Sequence, residues 1–168
     1  ERTSTTVANA YVQPTMKVYL RYLENELQAS GFKGGFYIML SSGGITNVGM
    51  AEALPIKLCE SGPAAGALVA RYYGQSIGLK DMISFDMGGT TAKLCLLDDF
   101  EPLTSRSFEV DRVYRFKKGS GLPVRIPVIE MVEIGAGGGS IAQVDRLQRI
   151  QVGPESAGSE PGPAAYGR

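Results

Sequence analysis

Glycine limits this chain more than any other residue does. It supplies 22 of 168 residues, nearly twice the usual share of about 7%. The glycines gather at Gly43-Gly44, at Gly88-Gly89 and from Gly135 to Gly139, with no periodic repeat. Such a distribution describes several turns built from bare backbone rather than a low-complexity tract. The middle group has the most informative surroundings: Ile83-Ser84-Phe85-Asp86-Met87, then Gly88-Gly89-Thr90-Thr91, then Ala92-Lys93-Leu94-Cys95-Leu96-Leu97. An apolar strand runs into an aspartate, two glycines and two hydroxyls, and a second apolar strand follows.

A strand–turn–strand of this composition can wrap a phosphate chain. Glycines let backbone N–H groups come close, threonines add hydroxyl donors, and the aspartate can face a cation. An ordinary hairpin with a glycine turn answers to the same residues. The turn by itself leaves both readings open.

Composition narrows the function classes. Seventeen basic and seventeen acidic residues cancel, so no polyanion-binding surface is advertised. The local basic group Arg112, Arg115, Lys117, Lys118 and Arg125 reads as a solvated strand face rather than a nucleic-acid site. Histidine is absent, which removes imidazole chemistry and histidine-ligated zinc from this chain. Cys59 and Cys95 sit apart in apolar stretches and read as buried free thiols, in keeping with a reducing cytoplasm. No apolar run reaches the roughly 18–20 residues of a membrane span. The chain opens on Glu1 and closes in a Gly/Pro-rich run, and so reads as an internal piece of a longer polypeptide.

In chain order, residues 1–12 are polar and are expected to lack regular structure. Pro14 suits a first helical turn, and Met16, Leu20, Leu23 and Leu27 recur at helical spacing up to Gly31, predicting a core-facing helix over 14–29. Residues 35–40 read as a buried parallel strand ending in Ser41-Ser42-Gly43-Gly44, either at a ligand-binding strand end or in a plain strand-to-helix turn. A short helix over 50–54 stops at Pro55, and 56–59 suggest a brief strand. Ser61 or Gly62 can cap a second long helix running to about Tyr73, whose N-terminus offers unpaired N–H groups. Ala64, Ala65, Gly66 and Ala67 allow close approach of another backbone or of a flat ligand.

Strands are expected from residue 82 onward. Alternation from Phe108 to Lys117 marks a half-buried strand, and 124–134 an apolar one bent at Pro127. It delivers Gly135-Ala136-Gly137-Gly138-Gly139-Ser140. Each glycine costs roughly 0.5–1 kcal/mol where alanine would serve, so this backbone is expected to pass close to something. Gly135 and Gly137 imitate the start of a dinucleotide fingerprint. Ser140 holds its last position, however, and a strand-like segment follows where a helix is required. No Walker A loop is present. Residues 140–144 and 147–152 form a hairpin around Asp145-Arg146, and 153–168 read as irregular.

Taken together, several stretches resemble one family. They are Arg2-Thr3-Ser4-Thr5-Thr6 with Asn9-Ala10-Tyr11, Ser42-Gly43-Gly44, Glu60-Ser61-Gly62-Pro63-Ala64-Ala65-Gly66, Asp86-Met87-Gly88-Gly89-Thr90, Ile134 through Ala142, and Val152-Gly153-Pro154-Glu155-Ser156-Ala157-Gly158 leading to Pro161-Gly162-Pro163. Their order along nearly the whole chain is similar to the A subunit of the hydantoinase/oxoprolinase family. That family includes N-methylhydantoinase, 5-oxoprolinase and nucleotide-using subunits of acetone and acetophenone carboxylases.

The resemblance implies an α/β, actin-like (ribonuclease H-like) ATPase fold, with residues 1–80 ending one half and 81–168 starting the second. It implies ATP and Mg²⁺ (or Mn²⁺), a cyclic amide substrate, a hydantoinase B-type partner subunit and a cytoplasmic location. Asp86 would hold the metal shell through water. Gly88, Gly89, Thr90 and Thr91 would meet the terminal phosphates. Gly135, Gly137, Gly138, Gly139 and Ser140 would wall the cleft, with Ser61 and Gly62 at its border. The sequence departs from the family at Ala92-Lys93, where many members carry an aspartate, so metal ligation would rest on Asp86. No catalytic residue is identified; Glu130, Glu133 and Asp145 flank the glycine run as substrate-facing candidates or as solvated carboxylates. The implied reaction is hydrolysis of a hydantoin, N-methylhydantoin or 5-oxoproline ring by ATP phosphorylation of the amide oxygen. The alternatives are a ketone carboxylase subunit and a non-catalytic nucleotide-binding module.

Overall fold

The computed structural model describes residues 2–114, 117 and 119–167. It is a mixed α/β structure. The chain opens with α1 (Arg2–Ala29), followed by β1 (Tyr37–Met39), β2 (Ile45–Asn47), α2 (Val48–Ala53), a 3₁₀ turn (Pro55–Leu58) and α3 (Ser61–Ile77). Ten further strands are described: β3 (Met82–Met87), β4 (Ala92–Asp98), β5 (Glu101–Pro102), β6 (Thr104–Ser105), β7 (Phe108–Val110), β8 (Leu122–Val124), β9 (Val128–Ile129), β10 (Val132–Ile134), β11 (Ser140–Val144) and β12 (Ile150–Ser156). A last 3₁₀ turn spans Ala164–Tyr166. Two compact units result, interleaved along the chain: residues 1–69 with 103–130, and residues 70–102 with 131–168.

In the first unit, α1 begins at Arg2 rather than at Pro14. Its polar N-terminal half lacks a helical stripe but is held by tertiary bonds. Ser4 Oγ donates to Pro123 O, the Arg125 N–H to Thr5 Oγ1, and the Ile56 N–H to Asn9 Oδ1. Pro14 therefore sits inside the helix, where an interior proline ordinarily costs about 3 kcal/mol. Leu20, Val48 and Ala51 form one core with Met16, Phe36 and Ile38 against it. Ile56, Val124, Ile126 and Val128 form another, with Ala8 and Phe108 packed on it. Arg21 clamps α1 to α2 through Glu52, Nη2 to Oε2 at 2.8 Å.

Several expectations change here. β1 pairs antiparallel with β2 (Ile38 opposite Thr46), so Ser41–Gly44 turns a hairpin instead of leading a parallel strand into a helix. Residues 55–58 form a 3₁₀ turn because Pro55 starts a helical φ, and no strand lies there. The strand after Phe108 stops at Val110, since Asp111 takes a left-handed φ of 54°. In its expected continuation to Lys117, Arg115 and Phe116 lie outside the described residues. The stretch 124–134 breaks around Pro127 into β8, β9 and β10, as a residue without a donor N–H would dictate. The second helix runs past Tyr73 to Ile77, and β12 carries regular structure to Ser156.

In the second unit, β3 and β4 pair from Met82–Leu97 to Met87–Ala92, and β10 adds to the other side of β4. Directly opposed residues share a face. One face carries Ile83, Phe85 and Met87 with Leu94, Leu96 and Val132, and much of it is exposed: Ile83 by 59% and Phe85 by 56%. The other face carries Ser84, buried Cys95 and buried Leu97, then Asp86, Lys93 and Glu133 in one row. No described helix is long and apolar enough to cross a membrane.

Candidate functional site

The register Met87–Ala92 makes residues 88–91 a four-residue loop. The Gly88 N–H closes it onto Thr91 O at 2.9 Å. The glycine run after β10 packs directly on this loop. The Gly138 N–H donates to Gly88 O at 2.9 Å, and the Gly139 N–H to Gly89 O at 2.7 Å. A third segment joins them, as the Ala157 N–H donates to Gly139 O at 2.7 Å. Ser140 Oγ accepts the Gly137 N–H at 3.0 Å, and the Ser140 N–H returns to Gly137 O. The structure thus brings Gly88, Gly89, Thr90, Thr91, Gly137, Gly138, Gly139 and Ser140 into one assembly of main chain. Gly135 lies in the exposed bend between β10 and that assembly.

The glycines there divide by the space around them. A Cβ on Gly137 would lie 2.7 Å from Gly88 O and from Thr91 N, and one on Gly139 would lie 2.5 Å from Gly158 O. These positions are glycine because main chain meets main chain. At Gly88 the nearest atom to an added Cβ is Thr91 O at 3.8 Å, and at Gly138 it is Gly88 O at 3.6 Å. Neither has a positive φ. Packing and backbone conformation therefore leave both glycines unexplained, and both are exposed.

Donors collect at the same place. Among the described residues, no hydrogen bond takes up the N–H groups of Gly89, Thr90 and Thr91 or the two threonine hydroxyls. Asp86 is exposed at the end of β3, opposite Lys93. Lys93 Nζ lies 3.5 Å from Glu133 Oε1 on the next strand. No group of three metal-ligating side chains occurs among the described residues. Asp86 is a single carboxylate, a donor set that suits a cation carrying its own water.

The remaining candidates have settings of their own. Asp145 is a turn residue. The Leu147 and Arg149 N–H groups donate to its Oδ1, and Arg149 Nε to its Oδ2 at 2.8 Å. The Arg149 N–H above all, with its guanidinium, holds the carboxyl below its ordinary range. Glu130 belongs to the first unit, as do Ser61 and Gly62. Ser61 opens α3, in which Ala64 and Ala67 are fully buried while Gly62 and Gly66 face open space. The sequence does not disclose the pairing of the two glycine runs.

Comparison with known proteins agrees with these features. A family model described as hydantoinase/oxoprolinase matches residues 2–168. An uncharacterized protein of Methanocaldococcus jannaschii is 47% identical, aligned over all of this chain and 25% of its own length. Caprolactamase subunit alpha of Pseudomonas jessenii is 34% identical over 99% of this chain and 23% of its own. The solved structure of the ATP-dependent caprolactamase superposes with a TM-score of 0.68, at 32% identity, with 99% and 23% covered. A nucleotide-free acetone carboxylase gives 0.70, at 28% identity, with 94% and 21% covered. The chain spans about a quarter of the length of these relatives. It belongs to the hydantoinase/oxoprolinase family.

Proposed function

We propose that this chain supplies one phosphate-binding wall of an ATP site, within a subunit that opens cyclic amides. The observation that carries this reading is the pair Gly88 and Gly138. Each has room for a side chain and no conformational need to lack one. A ligand that must approach the backbone accounts for both. The untaken N–H groups of Gly89, Thr90 and Thr91 supply donors for it, and preorganised donors of this kind stabilise developing phosphate charge.

In this reading the fold is the actin-like ATPase type, with residues 1–80 and 81–168 from its two halves. Asp86 orients the waters of Mg²⁺ or Mn²⁺. The threonine hydroxyls fix the terminal phosphate, and Lys93, held toward Glu133, adds positive charge behind the turn. Bound ATP would supply the phosphoryl group that makes an amide oxygen a leaving group. The substrate is a hydantoin, a lactam or 5-oxoproline, the second subunit is of the hydantoinase B type, and the location is cytoplasmic. The names of the caprolactamase and 5-oxoprolinase relatives support this choice.

Nucleotide titration of the full-length protein tests it. Gly88→Ala is expected to leave the unfolding midpoint in place and to weaken ATP binding at least tenfold. Unchanged ATP affinity would sink the proposal and favour a turn without a ligand. A carboxylase subunit is the second reading, supported by the acetone carboxylase neighbour. Turnover with acetone and bicarbonate but with no cyclic amide would select it.

A further inference from the structure

The geometry points to a second binding site, in the first unit, for a small organic anion: an oxyanion head, carboxylate or phosphate, on an apolar body. It does not rest on the nucleotide reading. An open cleft of about 440 Å³ is lined by Ser42, Thr104, Arg106, Arg125, Ile126 and Val128, together with Ser105 and Pro127. None of these residues is acidic. Three separate segments meet there, and main-chain bonds fix each. Thr104–Ser105 pairs with Val128–Ile129, and the Ile129 N–H donates to Ser41 O at 2.8 Å. Ser41 is itself buried and bonded to Lys57 O through both its N–H and its hydroxyl. The Arg125 N–H is anchored on Thr5 Oγ1 at 2.9 Å. The Arg106 turn is closed by Ser105, whose hydroxyl bonds to both the N–H and the carbonyl of Ser107. The cleft is thus preformed, which lowers the ordering cost of binding.

Its chemistry selects the ligand. Arg106 forms no ion pair among the described residues, so its guanidinium fork remains available to an incoming oxyanion. The Arg106 guanidinium with nearby hydroxyls matches the planar oxygens of a carboxylate or phosphate. Buried Ile126 and Val128 provide an apolar floor for the remainder of the molecule. This is also a use for Ser42, which β1 and β2 hold in their turn.

Calorimetric titration of the full chain with cyclohexanecarboxylate, inorganic phosphate and, as a control, cyclohexylammonium tests the assignment. Saturable binding of one or both anions, and none of the cation, is expected. Arg106→Gln should weaken it at least tenfold, Arg106→Lys should fall between, and Arg146→Gln in the other unit should change nothing. Arg106 is exposed, so unchanged urea midpoints should accompany these effects. Dependence on Arg106 for the carboxylate or for phosphate identifies the head group. Absence of saturation by both anions, or affinity indifferent to Arg106→Gln, overturns the site.

Discussion

The two units are held by different materials. In the first, side chains meet side chains: Leu20 with Val48 and Ala51, and Ile56 with Val124, Ile126 and Val128. At the centre of the second, three loops touch through bare backbone, with Gly137 and Gly139 wedged against Gly88, Gly89 and Gly158. A side-chain core tolerates exchange of one hydrophobe for another of similar volume. A main-chain contact offers no such latitude, because the smallest addition meets a carbonyl that cannot rotate away. The contrast explains why a glycine-rich stretch can be the most closely fitted part of its unit.

The largest effect is expected in the first unit. Leu20→Ala removes a side chain that is 2% exposed and should lower stability by about 3 kcal/mol, read from urea unfolding. Gly139→Ala should cost about 2 kcal/mol through overpacking, although it adds only one methyl group. Hydrogen exchange should place that loss in residues 82–98 and 131–158. A cost near zero would break the comparison between the units. Gly88→Ala sharpens it: stability should change by less than about 0.5 kcal/mol, while the tenfold loss of ATP affinity corresponds to about 1.4 kcal/mol.

The smallest effect concerns pH. The Asp145 carboxyl is lowered by its bonds to Arg149 and Leu147, so its contribution is present above the unfolded carboxylate value of about 4. It is lost as pH falls through the lower folded value. Amide exchange in the β11–β12 hairpin should therefore quicken on acidification below about pH 4. Asp145→Asn should remove that dependence, and an unaltered profile would remove Asp145 from its place as the turn's anchor.

What the residues disclosed in advance depended on where their partners lay. The β3–β4 hairpin and the helix stripe of Met16, Leu20, Leu23 and Leu27 were legible because the neighbours deciding them are local. The helical state of residues 2–12 was not, since Ser4, Thr5 and Asn9 are held by Pro123, Arg125 and Ile56. The antiparallel β1–β2 pair hid for another reason, as a short apolar run fits either direction of pairing. In the candidate site, close approach at the Gly135–Gly139 run was readable from its composition. The partner was not: much of what that backbone approaches is the other glycine turn. Gly88 and Gly138 could be told apart from Gly137 and Gly139 only by measuring the space beside each.

The stitch between the glycine turns also has a mechanical meaning. Two hydrogen bonds, Gly138 to Gly88 and Gly139 to Gly89, tie the tip of one hairpin to the root of another. Neither turn can swing without the other, so the tip of the β3–β4 hairpin should be stiff on the timescale of loop motion. In a stretch whose composition suggests slack, the Gly138 and Gly139 amides should exchange as slowly as those of a strand. Tension applied to Gly88 would then be borne by β10 and β11 together.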